Sequence, residues 1–376
     1  MARNPFKYLD YYTCEDADLF YGREAQVQRM VGEILSSRLL VLFSPSGSGK
    51  TSLINAGIRP ELEAQGFKTL YTRFNKQPVE AVIETVDSLL SKQPGEALAN
   101  DMYSHLKLAA KNIAKPLVLF LDQFEEFFII YRDTPKIRKD FIAQLAKIKY
   151  DDELPVFIVL SLREDYFANM HEFREAIPSI FQNNANVRLE SFTREEAWRA
   201  ITKPIQAVGA TIEDGLANRI IEDLDNAKSG IQPIELQIVC ASLWKHKAEY
   251  QALDLSIYKS SGGARKILKS HLSDTLNRIP FRKRKFMIRV LEALKTPDNT
   301  KRYRSFDDLR ETLGQGRKSK RLEKMLALLT SLNLVRKDER AGSAWYEYKH
   351  DYLAKGIGDW IQEWDEKIHR RRIQYL

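Results

Sequence analysis

Cysteine is scarce in this sequence, and long apolar runs are missing. Only Cys14 and Cys240 occur in the 376 residues, and they are too far apart for the ligand spacing of a zinc site, so neither a disulfide framework nor structural zinc is expected. No apolar run reaches the roughly 18 residues that would cross a bilayer, and no secretory signal opens the chain. We therefore expect a cytoplasmic protein with no membrane segment.

Charge is distributed unevenly along the chain. The formal net charge is +8, yet residues 257–376 contain 29 Lys and Arg against 15 Asp and Glu, and the rest contains 30 against 36. A basic C-terminal third is typical of proteins that bind nucleic acid or anionic lipid, and also of an ordinary solvated surface. The length of the chain favours two or three domains.

The sequence is organised around residues 38–54, where a short apolar run, a Ser/Gly loop and an amphipathic segment follow one another. This order matches the P-loop, written G-x-x-x-x-G-K-[ST], although Ser44 stands in place of the first glycine. The glycines let backbone amides approach phosphate oxygens, the lysine bridges the terminal phosphates, and the threonine hydroxyl serves Mg²⁺. The predicted nucleotide-binding residues are Ser46, Gly47, Ser48, Gly49, Lys50, Thr51 and Ser52.

A second apolar run, residues 116–121, ends in Asp122-Gln123-Phe124-Glu125-Glu126. A continuous apolar run predicts a strand buried on both faces of a parallel sheet. An aspartate at the end of such a strand is the Walker B residue of P-loop enzymes, so Asp122 is predicted to serve Mg²⁺ together with Thr51. Many P-loop enzymes have a glutamate directly after this aspartate, at the position of Gln123. The carboxylate that activates water is therefore predicted to be Glu125 or Glu126, and the sequence does not decide between them.

A third strand of the same type is predicted at residues 156–163, followed by Glu164 and Asp165. Its last polar residues, Ser161 and Arg163, would lie at the edge of the sheet where nucleotide binds and would face the γ-phosphate as a sensor pair. An arginine there can stabilise charge in the transition state. The alternative is that Arg163 forms an ion pair with Asp165 or Glu164.

The remainder of the chain is predicted to be mainly helical. Together the patterns predict an α/β P-loop NTPase core at 1–186, a helical lid at 187–265 and a winged-helix domain at 266–376. The winged helix is inferred from helices near 272–277, 281–293, 306–313 and 320–332, followed by a basic hairpin with strands at 334–337 and 344–348.

The order of these features resembles a STAND NTPase, and in particular the bacterial novel STAND group, whose Walker B motif runs Asp-Gln-x-Glu-Glu. The Gly22-Arg23-Glu24 segment, one helix before the P-loop, is similar to the adenine-side segment of AAA+ and STAND ATPases. Pro233 matches a lid proline that packs near adenine, although Ile231 stands where the family has glycine. His350 matches a histidine that contacts the ADP β-phosphate in relatives; a neutral core histidine is the alternative.

The resemblance implies a signalling switch that binds ATP, ADP and Mg²⁺ and hydrolyses ATP slowly. Such switches are held off with ADP and form homo-oligomers with ATP, often in defence, including antiviral defence, or in regulated cell death. The effector and sensor regions usual in the family are absent from this sequence, so we expect either partners in trans or a fragment of a longer protein.

The alternative function is an Orc/Cdc6-like AAA+ loader ATPase that binds DNA through a basic winged helix. The basic runs at 282–285 and 317–321 favour it. For the switch, we expect only weak, non-specific binding of nucleic acid.

Overall fold

The computed structural model describes residues 3–74, 77–90, 101–225, 230–246, 252–297, 301–314, 316, 319–340, 343–349 and 351–374. The chain divides into two compact units, one formed by Asp10–Gly209 and the other by Met1–Leu9 with Ala210–Leu376. Each unit buries hydrophobic clusters of its own. The division into three domains stays a prediction.

The Asp10–Gly209 unit is built on a sheet of five parallel strands in the order β2-β3-β4-β1-β5. This confirms the predicted α/β class with a parallel sheet. Every residue of β3 is buried, because helices cover both faces of a parallel sheet. The strands are β1 Leu39–Ser44, β2 Lys68–Thr72, β3 Leu117–Leu121, β4 Val156–Arg163 and β5 Asn186–Arg188.

Helices surround this sheet, and their apolar positions explain where they pack. In the helix before the P-loop strand, Val27, Met30, Val31 and Ile34 are buried at the spacing of one helical face. The helices of the unit are α1 Glu24–Ser37, α2 Lys50–Ser52, α3 Arg59–Ala64, α4 Pro78–Asp87, α5 Met102–Ile113, α6 Glu125–Ile130, α7 Pro135–Tyr150 and α8 Arg194–Ala207. A π-helical turn, Leu53–Ile58, joins α2 to α3, and 3₁₀ turns lie at Cys14–Leu19, Glu164–Phe173, Pro178–Phe181 and Asn183–Ala185.

The second unit contains the remaining helices and an antiparallel sheet in the order β6-β8-β7. The helices are α9 Asp214–Leu224, α10 Pro233–His246, α11 Leu255–Ser260, α12 Gly263–Asn277, α13 Phe281–Ala293, α14 Phe306–Thr312, α15 Lys320–Ser331 and α16 Asp351–Gln374, and the strands are β6 Arg304–Ser305, β7 Val335–Arg340 and β8 Ser343–Tyr348. Tyr348 is fully buried, and its hydroxyl donates to the Leu291 carbonyl at 2.7 Å. This bond ties the last strand to α13.

The helices and paired strands of residues 281–348 lie close to the predicted positions, but their identity as a winged helix stays a prediction.

None of the helices in the described ranges is both long enough and apolar enough to span a membrane.

Candidate nucleotide-binding site

The loop after β1 has the backbone of a phosphate-binding loop. β1 lies between β4 and β5, and the loop leaves its carboxyl end. Gly47 and Gly49 have φ values of 85° and 91°, in the left-handed region that favours glycine. A Cβ on Gly49 would meet nothing within 4 Å, so glycine is required there by the backbone conformation and not by lack of space. The Ser48 hydroxyl closes the loop by donating to the Pro45 carbonyl at 2.9 Å.

Lys50 folds back over this loop. Its Nζ donates to the Ser44 carbonyl at 3.1 Å, to the Ser44 Oγ at 3.0 Å and to the Pro45 carbonyl at 3.4 Å. The serine that replaces the first P-loop glycine therefore contributes a side-chain oxygen that holds the lysine. This places the ammonium beside the turn in which phosphates would lie.

Asp122 lies at the carboxyl end of β3 and is almost completely buried. Its Oδ2 accepts hydrogen bonds from the Thr51 and Tyr71 hydroxyls, both at 2.8 Å, and its Oδ1 accepts one from Ser161 Oγ at 2.8 Å. Arg73 Nη2 lies 3.4 Å from Oδ2 in a salt bridge. The motif residues Thr51, Asp122 and Ser161, far apart in sequence, thus meet at one point.

Opposing effects set the ionisation of this cluster. Burial alone would raise the pKa of Asp122, but attraction by Arg73 and the hydrogen bonds from Ser161, Tyr71 and Thr51 outweigh it and lower that pKa. Burial, together with the neighbouring carboxylate, raises the pKa of the Tyr71 hydroxyl. At neutral pH the aspartate is therefore an anion that accepts hydrogen bonds, and the tyrosine keeps the proton that it donates.

The donor set at this point fits Mg²⁺. Mg²⁺ prefers oxygen ligands and is usually held by one or two carboxylates, hydroxyls, waters and substrate phosphates. Thr51 and Asp122 supply a hydroxyl and a carboxylate with oxygens 2.8 Å apart, next to the P-loop. These two residues would hold the ion.

Glu125 and Glu126 begin α6, and both are buried. Gln123 has a φ of 57°, a left-handed turn that redirects the chain between β3 and this helix. Glu125 consequently reaches the end of β4, where its Oε2 accepts a hydrogen bond from the Arg163 amide at 3.1 Å. Both carboxylates lie in the first turn of the helix that follows Asp122. Which of the two activates water stays a prediction without a choice between them.

The Arg163 side chain forms an ion pair with Asp165. The pairing that the sequence left as an alternative is therefore present. The sensor role of Arg163 stays a prediction, as does that of Ser161, although Ser161 contacts Asp122 directly.

Gly22 and Arg23 connect the N-terminal segment of this unit to the segment before α8. Arg23 is buried, donates to the Glu190 carbonyl at 2.8 Å and lies 4.2 Å above the centre of the Phe192 ring. Burial lowers its pKa to about 10, although Glu196 and Glu190 oppose the shift, so it remains charged at neutral pH. The Gly22 amide donates to Glu24 Oε1 at 3.1 Å. Both residues therefore have structural contacts of their own, and their contact with adenine stays a prediction.

Three other predicted residues are Ser52, Pro233 and His350. The Ser52 Oγ accepts a hydrogen bond from the Tyr12 amide at 3.2 Å, which fixes the aromatic N-terminal segment beside the P-loop helix. Pro233 opens α10, which belongs to the second unit. His350 lies outside the described residues.

Tyr71 and Arg73 were not predicted as site residues. The available signal was the position of these polar side chains at the carboxyl end of the residues that form β2. Because β2 pairs with β3, with Thr72 opposite Leu121, this strand end lies next to Asp122.

Comparison with solved structures finds similar chains of low sequence identity. The Orc1 protein of Aeropyrum pernix in complex with DNA is 14% identical, with a TM-score of 0.47 over 92% of this chain and 94% of that chain. A Walker-type ATPase of Pyrococcus abyssi is 14% identical, with a TM-score of 0.47 over 93% and 99%. Drosophila ORC bound to DNA is 15% identical, with a TM-score of 0.42 over 89% and 94%.

Comparison with curated proteins gives no match. The family model described as Novel STAND NTPase 1 matches residues 5–374, nearly the whole chain. The match extends through the P-loop, the Asp122 motif and the helices and strands of the second unit. The chain belongs to the novel STAND NTPase 1 family.

Proposed function

We propose that this chain is a nucleotide-dependent switch that binds ATP and ADP and hydrolyses ATP slowly with Mg²⁺. The observation that carries the proposal is the convergence of Thr51, Asp122 and Ser161 through hydrogen bonds of 2.8 Å at the P-loop. Such an arrangement suits Mg²⁺ bound to nucleotide phosphates, because it joins a P-loop hydroxyl to a Walker B carboxylate.

Each residue of the proposed site has a chemical task. The amides of residues 46–52 and the Lys50 ammonium would bind phosphate oxygens, and Thr51 and Asp122 would hold Mg²⁺. When bound, Mg²⁺ neutralises charge that develops on the phosphates. Glu125 or Glu126 accepts a proton from the attacking water, and Arg163 stabilises charge in the transition state after leaving Asp165.

The regulatory part of the proposal depends on family membership. Members of this class act as switches, so we propose that ADP holds the chain inactive and that exchange for ATP promotes homo-oligomerisation in a defence signal. Pro233 and His350 would contact adenine and the ADP β-phosphate. The effector and sensor would be supplied by partners or by further sequence.

The bound nucleotide provides the direct test. The protein is purified without added nucleotide, denatured and analysed by ion-exchange chromatography, and phosphate release from MgATP is measured in parallel. We expect retained ADP and turnover that stops in EDTA. An empty site that exchanges nucleotide freely would contradict the switch, and the absence of any Mg²⁺-dependent hydrolysis would contradict the ATPase.

A groove in the second unit favours DNA binding as a second candidate function. Between α13 and α15 this groove encloses about 330 Å³. Phe286 and Met325 are among its apolar lining, and four cationic side chains also line it: Lys283, Lys320, Arg321 and Lys324. Arg321 lies over the Phe286 ring at 4.2 Å, and in the described part of the chain the three lysines form no ion pair. Cations that are not neutralised by the protein are available to phosphates. DNA loading would show as sequence-selective binding at physiological salt.

A further inference from the structure

Arg73 occupies a specific place beside the proposed magnesium ligand. It follows β2, which pairs with β3 in parallel, so its side chain reaches the end of β3. Arg73 Nη2 lies 3.4 Å from Asp122 Oδ2, the same oxygen that accepts the Thr51 hydroxyl. The guanidinium and the proposed metal would therefore be neighbours on one carboxylate.

Tyr71 fixes the guanidinium in this position. Arg73 Nε donates to the Tyr71 hydroxyl oxygen at 2.9 Å, and that hydroxyl donates in turn to Asp122 Oδ2 at 2.8 Å. The guanidinium also lies near two aromatic rings, 5.6 Å from the centre of Tyr11 and 5.7 Å from that of Tyr71. These rings can retain the cation if it leaves the carboxylate.

The ion pair has an energetic consequence for the site without metal. A buried carboxylate without a partner is strongly unfavourable, and a cation at salt-bridge distance offsets that cost. A divalent cation bound to the same carboxylate would be repelled by the guanidinium, because two cations a few ångströms apart repel and the carboxylate between them is buried. Arg73 and Mg²⁺ would therefore compete to neutralise the charge of the Asp122 carboxylate.

We propose that Arg73 competes with Mg²⁺ for Asp122 and so weakens the binding of Mg²⁺ to the nucleotide-loaded site. This inference rests on the assignment of Asp122 to Mg²⁺ in the proposed function. Binding of Mg²⁺ displaces Arg73 towards the Tyr11 and Tyr71 rings. Arg73 is then a residue that sets the Mg²⁺ concentration at which the site is filled.

A residue that only oriented Asp122 would give the opposite result. Its loss would leave the carboxylate poorly placed and would weaken Mg²⁺ binding. Loss of a competing cation strengthens Mg²⁺ binding. The direction of the change in Mg²⁺ affinity therefore separates the two roles.

The experiment measures the affinity of the full chain for a fluorescent ADP analogue over a range of free Mg²⁺ concentrations, with thermal unfolding in EDTA as a second readout. For Arg73→Gln we expect the Mg²⁺ midpoint to fall by on the order of tenfold, because one repelling charge is lost. The melting temperature in EDTA should also fall, because Asp122 loses its counter-ion. Arg73→Lys keeps the charge but not both guanidinium contacts, so it should lower the midpoint less than Arg73→Gln does.

Arg59→Gln is the matched control. Arg59 also lies near the Tyr71 ring, at 5.6 Å, but its guanidinium bonds to Asn55 and Thr69. Its removal should leave the Mg²⁺ midpoint unchanged. Tyr71→Phe removes one donor to Asp122 and the anchor of Arg73, and should lower the midpoint less than Arg73→Gln does.

An unchanged or raised Mg²⁺ midpoint in Arg73→Gln would overturn the inference; if that variant does not fold, the same outcome in Arg73→Met, which also removes the charge, would do so. Asp122→Asn tests the underlying assignment separately, because it should abolish the Mg²⁺ dependence of nucleotide affinity. A wild-type midpoint in Asp122→Asn would refute the proposed metal site itself. A third outcome is that Asp122→Asn loses the Mg²⁺ dependence of nucleotide affinity while Arg73→Gln keeps the wild-type Mg²⁺ midpoint. That result would support the metal site and reject only the role of Arg73.

Discussion

Thr51 Oγ1 donates a hydrogen bond to Asp122 Oδ2 at 2.8 Å, although the two residues are 71 positions apart in sequence. The bond joins the first turn after the P-loop to the end of β3. It brings the two strongest motifs of the sequence to one point, and the predictions about nucleotide binding follow from it.

Lys50→Ala should weaken ATP and ADP binding by roughly 10- to 100-fold, because a charge-assisted hydrogen bond to phosphate contributes about 1.5–3 kcal/mol. Isothermal titration with each nucleotide measures the effect. Lys136→Ala, at an exposed position of α7, is the control and should bind normally. Unchanged affinity in Lys50→Ala would rule out the P-loop as the binding site.

Glu125→Gln and Glu126→Gln should separate binding from hydrolysis. Each replacement keeps the size of the side chain and removes its ability to take a proton from water, so both variants should still bind MgATP while one of them loses turnover. Fluorescence titration and phosphate release give the two quantities. Normal hydrolysis by both variants would place the general base elsewhere.

Gly22→Ala should destabilise the unit by about 2–4 kcal/mol, because the glycine has a φ of 86° and an added Cβ would collide with the Glu196 carbonyl. Gly32→Ala is a matched control within α1. A Cβ there meets nothing within 4 Å, so the change should be neutral or stabilise the helix by up to about 1 kcal/mol. Urea unfolding of both variants measures the difference, and equal stabilities would show that the close packing at Gly22 is not important.

Binding to duplex DNA should be weak, independent of sequence and strongly dependent on salt, because the release of counterions supplies nearly all of it. Lys320→Ala combined with Lys324→Ala should reduce it further. The pair Lys107→Ala and Lys111→Ala, with the same spacing on α5, should not. Fluorescence anisotropy with two unrelated duplexes provides the measurement. Selective binding that persists at physiological salt would favour the DNA-loading function over the switch.

The sequence predicts the central strands well because their physical signal is local. β1, β3 and β4 are continuous apolar runs, as strands buried on both faces require. β5, Asn186–Arg188, was not predicted. It is three residues long and has no apolar run, and it is a strand because Asn186, Val187 and Arg188 pair with β1.

The site could be predicted only where a motif specifies it. Thr51 and Asp122 are identified by the spacing that phosphate and metal chemistry impose on P-loop enzymes. The contacts of Tyr71 and Arg73 with Asp122 depend on β2 lying next to β3, and strand order is set by the packing of the whole unit rather than by local pattern. The pairing of Arg163 with Asp165 was visible as an alternative because the two residues are close in sequence.

The interior position of β1 determines how the site would respond to local opening. All six residues of β1 pair with β4, while β5 adds only three pairs on its other side. In hydrogen–deuterium exchange, strands enclosed in this way exchange only through global unfolding, whereas a short edge strand exchanges through fraying. The amides of Val41 and Leu42 should therefore be among the slowest in the unit. Nucleotide can then enter and leave while the strand that carries its binding loop remains folded.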